Sequence, residues 1–266
     1  MMEDTTGTAS RRLVVAVDGP SGSGKSSVSR EVARRLGAAY LDTGAMYRAV
    51  AWHCREAGVL EDDHAVVAAV QDIDLGLSVD PDVDRVVVGT HDITEAIREP
   101  GISAVVSVVA TNRAVRELLV ARQRELIDSH RRIVAEGRDI TTVVAPDADA
   151  RILLTAAAEV RLARRGEQLG GTIGRQDLTA QVVDRDAKDS TVVDFMTPAA
   201  GVGLVDSSEL DLESTVQAVL AEIAGQSGQG AFGDAHDNRG TDPAAAAAPA
   251  TASDTAAPTT PEGNRA

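Results

Sequence analysis

The segment that most constrains this chain is a glycine-rich stretch directly after a short apolar run. It reads Gly-Pro-Ser-Gly-Ser-Gly-Lys-Ser over residues 19–26, and the apolar run before it covers residues 13–17. A glycine, four residues and then Gly-Lys-Ser is the spacing of a phosphate-binding P-loop, in which glycines let consecutive backbone N–H groups turn toward one anion. The alternative is a Gly/Ser-rich turn that matches this spacing by chance.

The residues after the loop favour the phosphate-binding interpretation. Val28, Val32 and Leu36 recur at helical spacing. The loop is therefore predicted to lie between a strand and the N-terminus of a helix, which itself attracts anions. In this pattern Lys25 reaches the outer phosphates and Ser26 can ligate magnesium. The segment predicts a polyphosphate site.

Composition narrows the class of partner. Aromatic residues make up 2% of the chain, so the core must be aliphatic, and the net charge of −15 repels a polynucleotide backbone. With Cys54 as its single cysteine, the chain has neither an internal disulfide nor a thiolate metal cluster. No N-terminal signal pattern or long apolar run occurs, so we expect a cytoplasmic protein that binds neither nucleic acid nor a membrane. We also expect a monomer.

Two polar ends flank the part of the chain that is expected to fold. Residues 1–11 lack periodicity and residues 225–266 are rich in Gly, Ala, Pro, Ser and Thr, so both are predicted to be disordered. Between them, short apolar runs alternate with helical patterns, which predicts an α/β fold with a parallel central sheet covered by helices. The runs are residues 13–17, 39–41, 132–135, 151–154 and 203–205. Ligands bind beyond the carboxyl ends of such strands, so the polar residues after each run are candidates.

The second run leads into a polar loop that opens a helix. Arg48 can fork onto phosphate oxygens, Thr43 offers a hydroxyl, and Asp42 can hold a magnesium-bound water beside Ser26. In the alternative interpretation Asp42 and Thr43 form an ordinary helix cap, and Arg48 is solvated.

The run at residues 132–135 leads into Glu-Gly-Arg-Asp-Ile-Thr-Thr over residues 136–142. Gly137 permits close backbone approach, and Arg138 with Asp139 places a guanidinium and a carboxylate at the mouth of the sheet. This arrangement indicates ligand binding. The alternative is a structural ion pair between Arg138 and a neighbour.

Arg161, Arg164 and Arg165 lie on one predicted helix, which runs into a glycine-rich stretch over residues 166–174. A cationic helix on glycine hinges predicts a mobile lid, about residues 160–180, that closes over a triphosphate and excludes water. The alternative is an exposed basic helix. Residues 184–191 alternate charges too densely for a buried helix face, and either bind ligand or only contact solvent.

Residues from about 72 to 98 alternate apolar and polar positions around an Asp/Pro turn, which predicts a small hairpin insertion. A helical stretch follows from about Ser103 to Leu126. Its polar positions form either a second substrate's pocket or a solvated face. They include Ser107, Arg113, Arg116 and Arg122.

Four of these segments occur together in the order seen in bacterial cytidylate kinases, and the chain resembles that family over about residues 12–224. They are Gly-Pro-Ser-Gly-Ser-Gly-Lys-Ser-Ser, Leu-Asp-Thr-Gly-Ala-Met-Tyr-Arg, Glu-Gly-Arg-Asp-Ile and Arg-Asp-Ala-Lys-Asp-Ser-Thr. The resemblance implies a three-layer P-loop kinase fold with an enlarged nucleoside-monophosphate-binding insertion, about residues 72–115, and a mobile lid. It also implies transfer of the γ-phosphoryl group of ATP to CMP or dCMP, with Mg²⁺ bridging the nucleotide phosphates.

The resemblance further implies roles for individual residues. ATP is held by Gly19, Pro20, Ser21, Gly22, Ser23, Gly24, Lys25, Ser26 and Ser27, and Mg²⁺ by Ser26 and Asp42. CMP is held at its phosphate by Arg48 and Arg138, at cytosine by Thr43, Arg116 and Asp139, at the ribose by Ser107, Arg185 and Asp189, and also by Tyr47. The transferred charge is stabilised by Lys25, Arg48, Arg138, Arg161 and Arg165. No general base is required, because a monophosphate oxygen is already an adequate nucleophile once aligned.

Two positions depart from the family pattern: Val192 stands where relatives often have arginine, and Thr141 where they commonly have glycine. Two alternatives stay open, a P-loop kinase acting on another small molecule such as UMP or shikimate, and a catalytically silent nucleotide-binding protein. A regulatory GTPase would need an Asn-Lys-x-Asp motif and a remodelling ATPase a strand ending in paired acids, and neither pattern occurs.

Overall fold

The computed structural model describes residues 11–168, 185–191 and 193–228. Its strands are β1 (Leu13–Asp18), β2 (Ala39–Asp42), β3 (Leu75–Leu77), β4 (Val86–Val88), β5 (His91–Asp92), β6 (Arg132–Gly137), β7 (Ala150–Thr155) and β8 (Gly203–Asp206). Its α-helices are α1 (Lys25–Leu36), α2 (Thr43–Glu56), α3 (Asp63–Gln71), α4 (Pro100–Thr111), α5 (Arg113–Ser129), α6 (Ala158–Gln168), α7 (Arg185–Ser190) and α8 (Leu212–Ser227). Most of the predicted lid, residue Val192, residues 1–10 and residues 229–266 lie outside the described residues. Residues 225–227, which the sequence predicts to be disordered, form the end of α8.

Five strands form the central parallel sheet, in the order β2-β6-β1-β7-β8. Each coincides with one of the five apolar runs, so the prediction of a parallel sheet is confirmed. Because β1 lies in the middle of the order, the glycine-rich loop after it opens at the centre of the carboxyl edge. None of the described helices combines the length and apolarity needed to cross a bilayer.

The alternation of side chains along β1 explains how helices cover both faces of the sheet. Leu13, Val15 and Val17 pack in one core cluster with α1 and α8. Val14 and Ala16 belong to the other cluster, which is formed with α2, α3, α4 and α5. A strand that is buried on both faces needs aliphatic residues at every position, which is why these strands read as continuous apolar runs.

The predicted hairpin insertion contains three short strands. β3 and β4 pair antiparallel, with Leu75 opposite Val88 and Leu77 opposite Val86, and β5 adds to β4. Leu75, Val86 and Val88 are buried in the same cluster as α2. The small sheet is therefore anchored to the helix that follows β2.

The helical stretch predicted from Ser103 to Leu126 is two helices, α4 and α5, so the prediction of one continuous stretch is wrong. The break is at Asn112, whose backbone is extended with φ −71° and ψ 115°. Its side-chain oxygen accepts hydrogen bonds from the backbone N–H groups of Ala114 (3.1 Å) and Val115 (3.2 Å). The asparagine thus caps α5 instead of continuing α4.

Candidate active site

A cleft of about 600 Å³ opens at the carboxyl ends of β1, β2 and β6. Most of the predicted site residues line it. They are Ser21, Gly22, Gly24, Lys25, Ser26, Ser27, Asp42, Thr43, Tyr47, Arg48, Arg116, Arg138, Asp139 and Arg165. Gly19, Pro20, Ser23, Ser107 and Arg161 are absent from the lining, and the side chains of Arg185 and Asp189 lie outside the described part of the chain.

The glycine-rich loop has a backbone that requires glycine. Gly22 and Gly24 adopt φ values of 76° and 90°, in the left-handed region. A Cβ at Gly22 would also lie 2.5 Å from the carbonyl oxygen of Arg161. Gly24 is the N-cap of α1, and neither a side-chain cap nor an acidic residue in the first turn satisfies that helix end. The free N–H groups and the helix dipole therefore favour an anion in the cleft.

Lys25 is the first residue of α1, and its ammonium donates a hydrogen bond to the carbonyl oxygen of Pro20 at 2.8 Å. Burial of the ammonium, with the charge of Arg138 as a second cause, lowers the pKa of Lys25 to about 8. The carboxylates of Glu136, Asp186 and Asp18 oppose this shift. The lysine is thus held where a positive charge is costly without an anion beside it.

Glu136, at the end of β6, is a cleft residue to which the sequence analysis gave no role. It is buried, and its Oε1 accepts a hydrogen bond from the Tyr40 hydroxyl at 2.8 Å. Burial and the charge of Asp42 raise the pKa of Glu136, while Lys25 and a hydrogen bond from Ser26 lower it. Its position directly after an apolar run was the available signal.

Asp42 serves as the N-cap of α2 and also forms an ion pair. Its Oδ1 accepts from the backbone N–H of Ala45 at 2.8 Å, and its Oδ2 accepts from Arg48 at 3.0 Å. The buried Thr43 donates its hydroxyl to the backbone oxygen of Glu136 at 2.8 Å. The helix cap that the sequence left as an alternative is therefore present. The ion pair with Asp42 orients Arg48 along the cleft wall.

The cleft is also lined by an ion pair between the half-buried Arg116 on α5 and the buried Asp139 after β6. Asp139 is 3% exposed. Tyr47 lies close to this pair, since burial and the charge of Asp139 raise the pKa of its hydroxyl. A guanidinium beside a buried carboxylate presents both donors and an acceptor to a polar ligand.

The ion pair that stands as the alternative interpretation of Arg138 is also observed, and Asp186 on α7 is its partner. Asp186 accepts from Arg138 at 2.7 Å, from Arg161 at 2.5 Å and from the backbone N–H of Ser21 at 3.1 Å. The guanidinium carbon of Arg138 lies 4.3 Å from the centre of the Phe195 ring. One buried carboxylate thus joins α6, the loop after β1 and the loop after β6.

The basic residues of α6 are directed at the glycine-rich loop, so the alternative of an exposed basic helix is wrong. Arg161 is buried and donates to the backbone oxygen of Ser21 at 3.0 Å. Arg164 donates to the Ser207 hydroxyl at 2.9 Å. Arg165 lines the cleft, and burial and the positive charge of Arg48 lower its pKa.

The family model described as cytidylate kinase matches residues 15–225 of this chain. The chain belongs to the cytidylate kinase family. A cytidylate kinase from Cutibacterium acnes (strain DSM 16379 / KPA171202) is 48% identical over 78% of this chain and 94% of its own length. One from Nocardia farcinica (strain IFM 10152) is 47% identical over 85% of this chain and 97% of its own length. The protein is therefore an ATP-dependent phosphotransferase.

Among solved structures, a gluconokinase from Sinorhizobium meliloti 1021 aligns with a TM-score of 0.44 at 16% identity, over 82% of this chain and 96% of that chain. At that level the likeness carries no argument about function. The assignment to the cytidylate kinase family rests on the family match and the relatives.

The described residues contain no group of three or more His, Cys, Asp or Glu side chains suited to a metal ion. For a magnesium nucleotide this is the expected situation, because Mg²⁺ keeps several waters and takes the remaining oxygens from one or two protein groups and from phosphates. Among the oxygen groups that line the cleft are the hydroxyl of Ser26 and the carboxylate of Glu136, which are joined by a hydrogen bond. Both oxygens of Asp42 already accept hydrogen bonds.

Proposed function

We propose that this protein transfers the γ-phosphoryl group of ATP to CMP and dCMP, giving ADP and CDP or dCDP. The observation that carries the proposal is the joint lining of one cleft by Lys25 of the glycine-rich loop, by Arg48 and by the Arg116–Asp139 ion pair. A donor site and an acceptor site within one cleft allow direct transfer between two bound nucleotides.

The charge distribution supports a phosphate on each side of the reaction. The pKa of Lys25 is lowered in part by Arg138, and that of Arg165 in part by Arg48. Cations that disfavour one another in a water-poor cleft are stabilised when an anion lies between them. We therefore assign Lys25 and the loop N–H groups to ATP, and Arg48 and Arg138 to the acceptor phosphate.

The Arg116–Asp139 pair is proposed to recognise cytosine, with Thr43 and Tyr47 beside it. Cytosine presents an amino donor and ring acceptors on one edge, and a carboxylate beside a guanidinium is complementary to that pattern. Ser107, Arg185 and Asp189 are proposed as ribose contacts on the family resemblance alone. The low aromatic content agrees with a base that is read by hydrogen bonds.

Mg²⁺ is proposed to act with ATP, where it would neutralise part of the charge on the phosphates. Ser26 would supply one ligand, and Glu136 would orient it through their hydrogen bond. Asp42 would act through a bound water, because its own oxygens already accept from Ala45 and Arg48. The protein supplies no base, and its residues align the acceptor oxygen and screen its charge.

The test is a coupled assay of ADP release with ATP and Mg²⁺, in which CMP, dCMP, UMP, AMP, GMP and shikimate are offered separately. We expect ADP release to be faster with CMP and with dCMP than with every other acceptor. Equal rates with UMP would preserve the reaction class and overturn the base assignment. If no acceptor releases ADP, the alternative of a silent nucleotide-binding protein replaces the proposal.

A further inference from the structure

Asp18 is the last residue of β1, directly before the glycine-rich loop, and it is 2% exposed. Its two carboxylate oxygens accept three hydrogen bonds from the turn after β6. The donors are the backbone N–H of Ile140 (2.8 Å), the backbone N–H of Thr141 (2.8 Å) and the hydroxyl of Thr141 (2.6 Å). The Asp18 side chain therefore connects the end of β1, where the glycine-rich loop begins, to the turn after β6.

The fastened turn is the segment that carries the acceptor-side residues. Ile140 and Thr141 directly follow Arg138 and Asp139, and all four lie between β6 and β7. Hydrogen bonds within the turn hold its backbone together, since the backbone oxygen of Asp139 accepts from the N–H groups of Val143 (2.9 Å) and Val144 (3.1 Å). A shift of the turn against β1 would move Arg138 and Asp139 with it.

Hydrogen bonds from this turn are what make the buried carboxylate tolerable. Burial raises the pKa of Asp18, and the bonds from Thr141 and Ile140 act in the opposite direction. No ion pair with Asp18 is found among the residues that the structure describes. A buried carboxylate is expensive unless its lone pairs are occupied, so the contact holds the turn in one register.

We propose that Asp18 and Thr141 are positioning residues that fix Arg138 and Asp139 for the acceptor nucleotide. Neither residue lines the cleft, so they act through the turn and not through contact with the nucleotide. The inference rests on the proposed function insofar as the acceptor is CMP. On this inference, the Thr141 hydroxyl contributes to the affinity for the acceptor nucleotide. A substitution of Thr141 is expected to leave the glycine-rich loop and its hydrogen bonds unchanged.

Thr141→Val is the decisive variant, because valine keeps the branched shape and removes the hydroxyl. Thr141→Ser is the matched control, because serine keeps the hydroxyl. The KM and the calorimetric Kd for CMP should rise about three- to tenfold in Thr141→Val, the range that the loss of one buried hydrogen bond gives. The KM for ATP should change less than about twofold, and Thr141→Ser should match the wild type for both nucleotides.

Asp18→Asn replaces an acceptor with an amide donor that faces a backbone N–H, so a larger loss of CMP affinity is expected. This substitution also risks unfolding, which is why Thr141→Val carries the test. Unfolding midpoints are recorded for all three variants. A role that is only structural would lower the midpoint and leave the ratio of CMP to ATP affinity where it is.

The outcomes separate this inference from the proposed function. If the wild type does not phosphorylate CMP, the proposed function fails, and the same variants are measured with whichever acceptor is active. If the wild type uses CMP but Thr141→Val binds CMP normally, the positioning role is overturned. Equal weakening for CMP and ATP also overturns it, and a protein with no acceptor at all overturns both.

Discussion

The two sides of the cleft are built in different ways. The proposed donor side is one continuous segment, the glycine-rich loop with the start of α1, of which Ser21, Gly22 and residues 24–27 line the cleft. The proposed acceptor side is assembled from separate elements, with Arg48 on α2, Arg116 on α5 and Arg138 after β6. A site made by backbone groups depends on local conformation, whereas an assembled site depends on each pair of side chains. Substitutions should therefore affect the two nucleotides separately.

The largest effect is expected from Lys25→Ala, which removes the side-chain cation of the donor side. We expect kcat to fall by at least about a hundredfold, because a preorganised charge at the transferred group is lost. Since glycines set the loop backbone, the circular dichroism spectrum should be unchanged. Arg113→Ala, at an exposed position on α5, is the control and should retain full activity. Normal turnover by Lys25→Ala would show that the donor side is misassigned.

Asp139→Ala tests whether the acceptor side of the cleft acts separately from the donor side. It removes the buried partner of Arg116, and a hydrogen bond between charged groups contributes about 1.5–3 kcal/mol. We expect kcat/KM for CMP to fall about ten- to a hundredfold, and the Kd of an ATP analogue to stay within about twofold. Isothermal titration with each nucleotide provides the measurement, with the exposed Asp147→Ala as a control. Equal losses for both nucleotides would show that the two sides do not act separately.

A pH profile of the wild-type enzyme tests the proposed donor side before any substitution is made. The lowered pKa of Lys25 means that the free enzyme loses this positive charge as the pH rises through about 8. We expect kcat/KM for ATP to decline above that pH by about tenfold per unit, since kcat/KM reports groups of the free enzyme. Lys25→Arg should remove the decline. Between pH 8 and 10.5 the unfolded chain holds the proton that the folded chain has lost, so this group makes folding more favourable as the pH rises.

The smallest effect is expected from shortening the C-terminus, which belongs to neither side of the cleft. Gln226 on α8 accepts from the backbone N–H of Arg151 (2.9 Å) and donates to its backbone oxygen (3.0 Å). Ending the chain after Gly228 should leave activity and the melting temperature unchanged. Ending it after Gly225 should lower the melting temperature by about a few degrees through loss of these two bonds. Loss of activity in the first truncation would assign a role to residues 229–266.

The same difference, between local structure and contacts assembled by the fold, separates what the sequence predicts from what it does not. The five strands and the glycine-rich loop are determined by contiguous apolar runs and by the spacing of glycines, which are local properties. The partners of Asp186, Glu136 and Asp18 depend on which cation or N–H group the fold brings beside each carboxylate, and no local pattern specifies that. The break at Asn112 was missed because the helical periodicity on both sides outweighed one residue with capping chemistry.

The carboxylate of Asp186 is an anion that the protein itself places at the mouth of the glycine-rich loop. It accepts a hydrogen bond from the N–H of Ser21 and forms ion pairs with both Arg138 and Arg161. If ATP and CMP bind as proposed, a phosphate takes over some of these partners, and binding at this point is an anion exchange. The measured affinity then reports the difference between a phosphate and a carboxylate for the same cations, and the carboxylate that is displaced belongs to the first turn of α7. Nucleotide binding and the release of this helix would be one equilibrium.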